Sequence, residues 1–359
     1  MNPKKKNHHF VPKFYLRNFS YLNNKKEIGL YNTRSQFYFK TAPLKSQASK
    51  DFFYGTDGII EDSLAELEGN LATVINNIIH NDSPDLNNED LFSLLLFIVL
   101  TDFRNPHHIH GISEMMIKMR QRLFEEAPNT DNMDKLLPIP SHEECVQLAL
   151  NNCVQIAKGI QDLKYKILIN ITDIPFITSD CPVVKYNQYL EWKNWKHSKS
   201  GYGSLGLQIF LPLTHKKLIL LYDPNSYEVG NPNYITHKLK KTEDIDELNL
   251  LQLINCIETI YFDEKVNEEY IKEMHEWSKD FNKAHAPFSN LAYLFDNESD
   301  INKEPEKKNL LVTGTTDCET NLKISGLRLK SAIKYRKLNN SVTQPRPGSL
   351  ICEIMKNSR

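Results

Sequence analysis

Residues 8–18 read HHFVPKFYLRN, preceded by the polar, basic run MNPKKKN. Two imidazoles, His8 and His9, stand just before a proline, and two cations, Lys13 and Arg17, stand four residues apart after it. Pro12 suits the first turn of a helix, because its ring pre-sets φ and its missing N–H has no partner to lose there. On such a helix Phe14, Tyr15, Leu16 and Phe19 form an apolar face, and Lys13 and Arg17 share the opposite one. Free N–H groups at the helix start and two cations one turn apart would cradle a phosphate or carboxylate, with His8 or His9 as general acid or base. The same run also reads as core aromatics flanked by solvated charges.

Glu61 and Glu68, seven residues apart, lie two turns along one line at the edge of an apolar stripe. A half-buried carboxylate at such a boundary is tuned as a general base or metal ligand; a solvated one is an ordinary flank charge. FRNPHHIH places Arg104 at the end of an apolar run, followed by His107, His108 and His110. This cluster lacks the i, i+4 histidine pair with glutamate that makes a zincin helix specific. In FITSDCPVV, Ser179 and Asp180 end a strand, where active-site groups often project, although Ser and Asp before Pro182 are also ordinary turn chemistry. Nothing beside Cys181 lowers its pKa. No G-x-S-x-G elbow, P-loop or G-x-G-x-x-G occurs, and GYGSLG lacks the lysine and the spacing.

The elements that must position these groups follow from hydrophobic period. EIGLYNTR and QFYFKTA alternate around Ser35, which predicts an antiparallel hairpin. From Ile60 to Ile78 the apolar residues fall at helical spacing, and Asn87 or Asn88 caps a second helix, Asp90 to Phe103, apolar on nearly every face. Pro106 interrupts it, and a further helix runs from about His110 to Glu126. Ser141 with Glu144 three residues on is a capping box for a helix ending near Asp162. KYKILINIT, PFITSD, GLQIFLPLT and KKLILLYDP read as strands, and Glu243 to Tyr261 and Val266 to Ala284 as helices. Helices in the middle packed with short, mostly antiparallel strands predict an α+β fold. Residues 1–285 form the expected core domain and 286–359 a linker with a basic appendage, GLRLKSAIKYRKLNN, for nucleic acid or a partner.

Composition narrows the class. A net charge of −1 over 359 residues gives no global field for nucleic acid or an anionic membrane, so such contacts would come from local basic patches. Six scattered cysteines without a C-x-x-C pair argue against a zinc ribbon or disulfide framework and for reduced thiols in a cytoplasm. The N-terminus has no signal-peptide core, and Leu94 to Leu100 is far short of the roughly 20 residues of a membrane span.

HHFVPKFYLRNF, EDSLAELEGNL, FRNP, PFITSDCPVV followed by FLPLT, and ELN at Asn249 occur in an order that resembles the bacterial family catalogued as domain of unknown function 4238. Members open with H-H-aromatic-[VI]-P and carry F-[IL]-T-S-D-x-P; the resemblance covers about residues 8 to 285. It implies an architecture and no reaction. The recurrent polar positions it points to are His8, His9, Pro12, Arg17, Glu61, Glu68, Arg104, Ser179, Asp180, Pro182 and Asn249. Cys181 stands where the family often has Asn, which argues against a catalytic role there.

Polar residues recurring in separate segments suggest a shared site, since cores are mostly apolar. The expected enzyme is a metal-assisted phosphodiesterase, a nuclease-like effector in defence against foreign DNA. In it Glu61, Glu68 and Asp180 bind a divalent ion (Mg or Mn), His8, His9 and Ser179 sit at the reacting centre, and Arg17 and Arg104 clamp phosphate. The alternative is a non-catalytic binding protein in which these groups form a buried hydrogen-bonded network. Either way, the N-terminal histidines are expected beside the Glu61/Glu68 edge.

Overall fold

Alternating residues at the start of the chain build strands, as the sequence predicts. The computed structural model describes residues 6–84, 86–126, 135, 137–195, 198–292, 310–334, 345–350 and 352. Strand β1 (Asn7–His9) precedes a single helical turn, α1 (Lys13–Leu16). The helix is shorter than its amphipathic spacing suggests because Arg17–Phe19 tightens into a 3-10 turn, where Ser20 Oγ donates to the Arg17 carbonyl (2.8 Å). Strands β2 (Glu27–Asn32) and β3 (Tyr38–Pro43) form the antiparallel hairpin, and β4 (Ser49–Asp51) pairs antiparallel with β1.

The helical layer follows. In α2 (Ile59–His80) Leu64, Leu71, Val74, Ile75 and Ile78 are buried along one stripe. Helix α3 (Asn88–Phe103) starts where Asn87 Oδ1 accepts the Glu89 and Asp90 amides, and it is buried on every side from Leu94 to Asp102. Helix α4 (Pro106–Glu126) opens at Pro106 rather than four residues later, since proline is well suited to a first helical turn. The capping box of Ser141 and Glu144 opens α5 (His142–Asn151), and α6 (Cys153–Gly159) follows after a break at Asn152.

The second half is mostly strands: β5 (Lys164–Asn170), β6 (Thr178–Ser179), β7 (Val184–Tyr186), a short α7 (Gln188–Trp192), β8 (Gln208–Pro212), β9 (Lys217–Tyr222), β10 (Tyr227–Val229) and β11 (Thr236–Leu239). One sheet has the order β11-β5-β9-β8-β7, antiparallel except for the β11/β5 pair. Helix α8 (Thr242–Asn255) ends six residues earlier than its apolar run suggests, and β12 (Thr259–Phe262) takes over. Thr259, Ile260, Tyr261 and Phe262 favour a strand, and β12 enters between β2 and β6 in a second sheet of order β3-β2-β12-β6. The first hairpin is thus sewn to the far half of the chain. Helix α9 (Glu268–Ser278) closes this part.

Side chains alternate across the five-stranded sheet. Ile167, Ile209, Leu211, Ile219 and Leu221 face the cluster that holds α2, α3, α5 and α6. Leu168, Phe210, Leu218, Leu220 and Tyr222 face a second cluster with α8. The architecture is α+β.

The C-terminal region corrects the expected appendage. β13 (Pro287–Ala292) and β14 (Leu310–Thr315) pair antiparallel, and β15 (Leu327–Leu329) pairs with β10. Helix α10 (Ser331–Lys334) follows. Cys318, Leu322, Ile324, Leu327 and Ile333 belong to the second hydrophobic cluster. Arg346 is fully buried, and its Nε and Nη2 (2.9 Å) hold both oxygens of Asp162. In the basic stretch, Lys330 Nζ donates to the Pro224 carbonyl (2.6 Å), while residues 335–340 and the charged segment 296–308 lie outside the described residues. Among the described residues no helix is long and apolar enough to cross a membrane.

Candidate functional site

The sequence-predicted polar residues separate into two internal networks. In the first, β1 buries His8 and His9. The Tyr54 amide donates to His8 Nδ1 (3.1 Å), the His8 ring stacks on that of Tyr54, and the Tyr54 hydroxyl donates to the His9 carbonyl (3.0 Å). Arg104, at the end of α3, is 1% exposed; its Nε donates to the Phe10 carbonyl (2.9 Å) and its Nη1 to Glu68 Oε1 (2.6 Å). Burial opposes the guanidinium charge, and Glu68 with Glu61 favours it. Tyr54 thus holds the histidines of β1, and Arg104 ties the Phe10 carbonyl that follows them to Glu68 on α2. Arg17 is exposed and does not join them, because the 3-10 turn directs it outward.

The second network surrounds β6. Asp180 is 5% exposed and is not the projecting carboxylate its strand-end position suggests. Its Oδ1 accepts the Ile257 amide (2.7 Å) and its Oδ2 those of Glu258 and Thr259 (both 2.9 Å), where the chain leaves α8 for β12. Burial pushes its carboxyl up to about 6, so at pH 7 the group is still the acceptor these amides need. Ser179 Oγ donates to Gln252 Oε1 (2.8 Å). Asn249, Gln252 and Asn255, spaced i, i+3, i+6 on α8, bond the irregular backbone from Pro175 to Val183. Asp180→Asn is therefore expected to cost about 2–4 kcal/mol, because the new amide turns an N–H toward a backbone N–H. Urea denaturation of the two proteins measures it; a difference under about 0.5 kcal/mol would show that the carboxylate anchors nothing.

The expected metal ligands do not form one donor set. Both oxygens of Asp180 accept backbone amides and Glu68 pairs with Arg104. Among the described residues no group of three or more His, Cys, Asp or Glu is placed to hold a metal ion.

The junction between α3 and α4 connects both networks to a cleft. Arg104 faces the first network, and Asn105 Nδ2 donates to the Asp180 carbonyl (2.8 Å). The next residues, His107 and His108, line a cavity of about 330 Å3 with Asp102, Cys181, Lys185 and His285. Asp102, the one carboxylate in the buried stretch of α3, accepts from Lys185 Nζ (2.8 Å) and from the Tyr202 hydroxyl (2.8 Å). Burial works against its charge, but Lys185 and His108 hold it below the usual carboxylate range.

His285 has a defined tautomer. Asn255 Nδ2 donates to the carbonyls of Cys181 (2.7 Å) and Val183 (3.1 Å), which fixes the amide with Oδ1 toward the ring. That oxygen lies 2.8 Å from His285 Nε2 and can only accept, so Nε2 carries the proton and Nδ1 is the basic nitrogen. The His285 backbone sits at φ +66, a region that a non-glycine residue adopts only when its surroundings impose it. Here they do: its amide donates to the Thr316 carbonyl (3.0 Å), and the amide of Ala284 to that of Ile254 (3.2 Å). The ring stacks on His107 at 5.2 Å between centroids.

Burial sets the charge state of this cleft. It lowers His108 to about 4 and, with Lys185 adding repulsion, His285 to about 3; His107 is lowered by burial and by Lys283. Cys181 Sγ lies 3.6 Å from His285 Nε2, but burial and Asp102 push the thiol well above its ordinary range. It lines the cavity as a thiol.

Of the cleft residues, sequence reading singled out His107 and His108, noted Cys181, and missed Asp102, Lys185, Tyr202, Asn255 and His285. A lone acid inside the apolar run LLLFIVLTDF was the one local signal; nothing around Lys185 or His285 marks them. The family described as protein of unknown function (DUF4238) matches residues 7–266, a segment that contains both polar networks and most of the cleft but stops short of His285. No curated protein and no solved structure matches the chain.

Proposed function

Since the chain belongs to the DUF4238 family, whose description assigns no reaction, we propose its function from the cleft: general acid–base cleavage of a phosphodiester at His107, His108 and His285. The observation that carries this reading is the oriented His285, with Nδ1 as a lone-pair base and Nε2 tied to Asn255. A base held by a third group is the usual arrangement for activating water or a hydroxyl. Lys185 and the ring donors supply positive potential, and Asp102 holds Lys185 in place. An entering phosphate favours imidazolium on the partly desolvated rings, so His107 or His108 becomes the acid that protonates the leaving oxygen while His285 Nδ1 takes the proton from the nucleophile. This replaces the metal-assisted scheme built on Glu61, Glu68 and Asp180, and no step is assigned to a metal. Nucleic acid is the corresponding substrate class, with defence against foreign DNA as the role considered from the sequence. A binding protein is the second reading, favoured by the two networks, whose groups are taken up by internal bonds; on this proposal they are the scaffold of the cleft.

The test combines binding with turnover. Inorganic phosphate should bind more tightly as pH falls from 7.5 to 5.5. The free cleft keeps His108 and His285 neutral in that window, the bound anion raises their pKa, and binding takes up protons. Titration calorimetry in two buffers of different ionisation enthalpy reads this uptake. With bis(4-nitrophenyl) phosphate as substrate, His285→Gln should lower kcat/KM about a hundredfold without a comparable loss of stability. Phosphate binding that ignores pH, together with no hydrolysis by the wild type, would sink the reading.

A further inference from the structure

His107 is a wall of two cavities. Behind it lies a second one of about 410 Å3, lined by Lys50, Phe53, Ile109, Ser113 and His142 among others. Both volumes fall within the usual range for small-molecule sites. Their chemistry differs. The first holds Asp102 and Lys185 beside three imidazoles, whereas the second, among the described residues, has no carboxylate: apolar walls from Phe53, Ile109 and Ile257 stand beside Lys50, Cys145 and the imidazoles of His107, His110 and His142. His142 Nε2 lies 2.8 Å from the Phe53 carbonyl, which can only accept, so Nε2 carries the proton and Nδ1 is an acceptor. Ser113 supplies a hydroxyl that donates or accepts, and Lys50, an exposed residue, has its ammonium 5.8 Å from the Phe53 ring centroid. Apolar walls with an imidazole acceptor at His142, a hydroxyl at Ser113 and further imidazoles at His107 and His110, beside a phosphate site, suit a flat hydrogen-bonding heterocycle carried on a phosphate.

The geometry points to a nucleotidyl substrate, its phosphate in the first cavity and its nucleoside in the second, with His107 between the two. This assignment rests on the phosphodiester reading of the first cavity. It turns the contact between the cavities into a specificity device: His107 meets the phosphate from one side and the sugar or base from the other. A simple alkyl or aryl phosphate would fill the first cavity alone.

Two variants separate the cavities. Ser113→Trp, on α4, places an indole in the second. Gly111→Leu, on the same helix, fills the first, and a Cβ at Gly111 meets nothing within 4 Å, so the backbone tolerates it. Calorimetry with inorganic phosphate and with adenosine and uridine 5′-monophosphates is the readout. The wild type should bind at least one nucleotide tenfold or more tighter than phosphate. Ser113→Trp should abolish that increment and keep phosphate affinity within about twofold, and Gly111→Leu should lose both ligands. Equal affinities for phosphate and both nucleotides in the wild type, or an increment that survives Ser113→Trp, would overturn the nucleotidyl assignment and leave the phosphate reading standing. No binding of phosphate or nucleotide at any pH would overturn both.

Discussion

A chain ending at Lys308 is expected not to fold at 25 °C. The missing segment would take Leu322, Ile324, Leu327 and Ile333 out of the second hydrophobic cluster, where each is less than 10% exposed. Burying a large aliphatic side chain contributes roughly 1.5–3 kcal/mol. The four together contribute roughly 6–12 kcal/mol, which matches the whole net stability of a typical domain, about 5–15 kcal/mol. Polar losses add to this. Arg346 would no longer hold Asp162 or bond the carbonyls of Tyr202 and Ser204, and the Tyr186 hydroxyl would lose the amides of Thr320 and Leu322. His285 would lose the Thr316 carbonyl that helps impose its backbone conformation, so any residual fold should lack phosphate binding. Circular dichroism and amide-proton dispersion of the truncated chain are the measurements. A cooperative melt within a few degrees of the full chain would show that the C-terminal segment is dispensable.

Arg104→Leu is expected to destabilise the protein by about 3–5 kcal/mol, the range for breaking a buried ion pair from one side. The guanidinium is the link between the Phe10 carbonyl after β1 and Glu68 on α2. Its removal leaves that carbonyl without the Nε donor and Glu68 without its cation. Glu68→Gln should cost less, about 1–2 kcal/mol, because an amide oxygen can still accept from Nη1 and because Glu68 is partly solvated, its side chain 23% exposed. Arg17→Ala, at an exposed position, should change stability by less than about 0.5 kcal/mol. Urea unfolding of the three variants and of the Arg104/Glu68 double mutant gives both the single effects and the coupling. If Arg104→Leu and Arg17→Ala turned out equal, the buried network would have no role in holding the N-terminal segment to the helical layer.

Local physics made much of this fold legible in the residues alone. The stripe from Leu64 to Ile78, the all-apolar run of α3, the capping box at Ser141 and the first hairpin each depend on neighbours a few positions away. Asp180 could not be placed from its own neighbourhood. Its role comes from the turn between α8 and β12, some 77 residues away in sequence, where its carboxylate accepts three backbone amides. The Glu243 to Tyr261 run looked like one helix because apolar period alone does not register that Ile260 and Tyr261 pair with β2 and β6. The C-terminal residues looked detachable because a basic stretch gives no sign that Leu327 and Ile333, interleaved in it, pack against α8 and β10. The cleft is the extreme case. Asp102, Lys185 and His285 are ordinary residues in their own segments, and they become a site only because strand order and the bonds of Asn255 carry them to the same cavity. Sequence determined which segments would be helix or strand and which faces would be buried, because those follow from periodicity and capping within a few turns. Tertiary structure alone decided which polar groups would meet, because that depends on long-range pairing that no short-range pattern encodes.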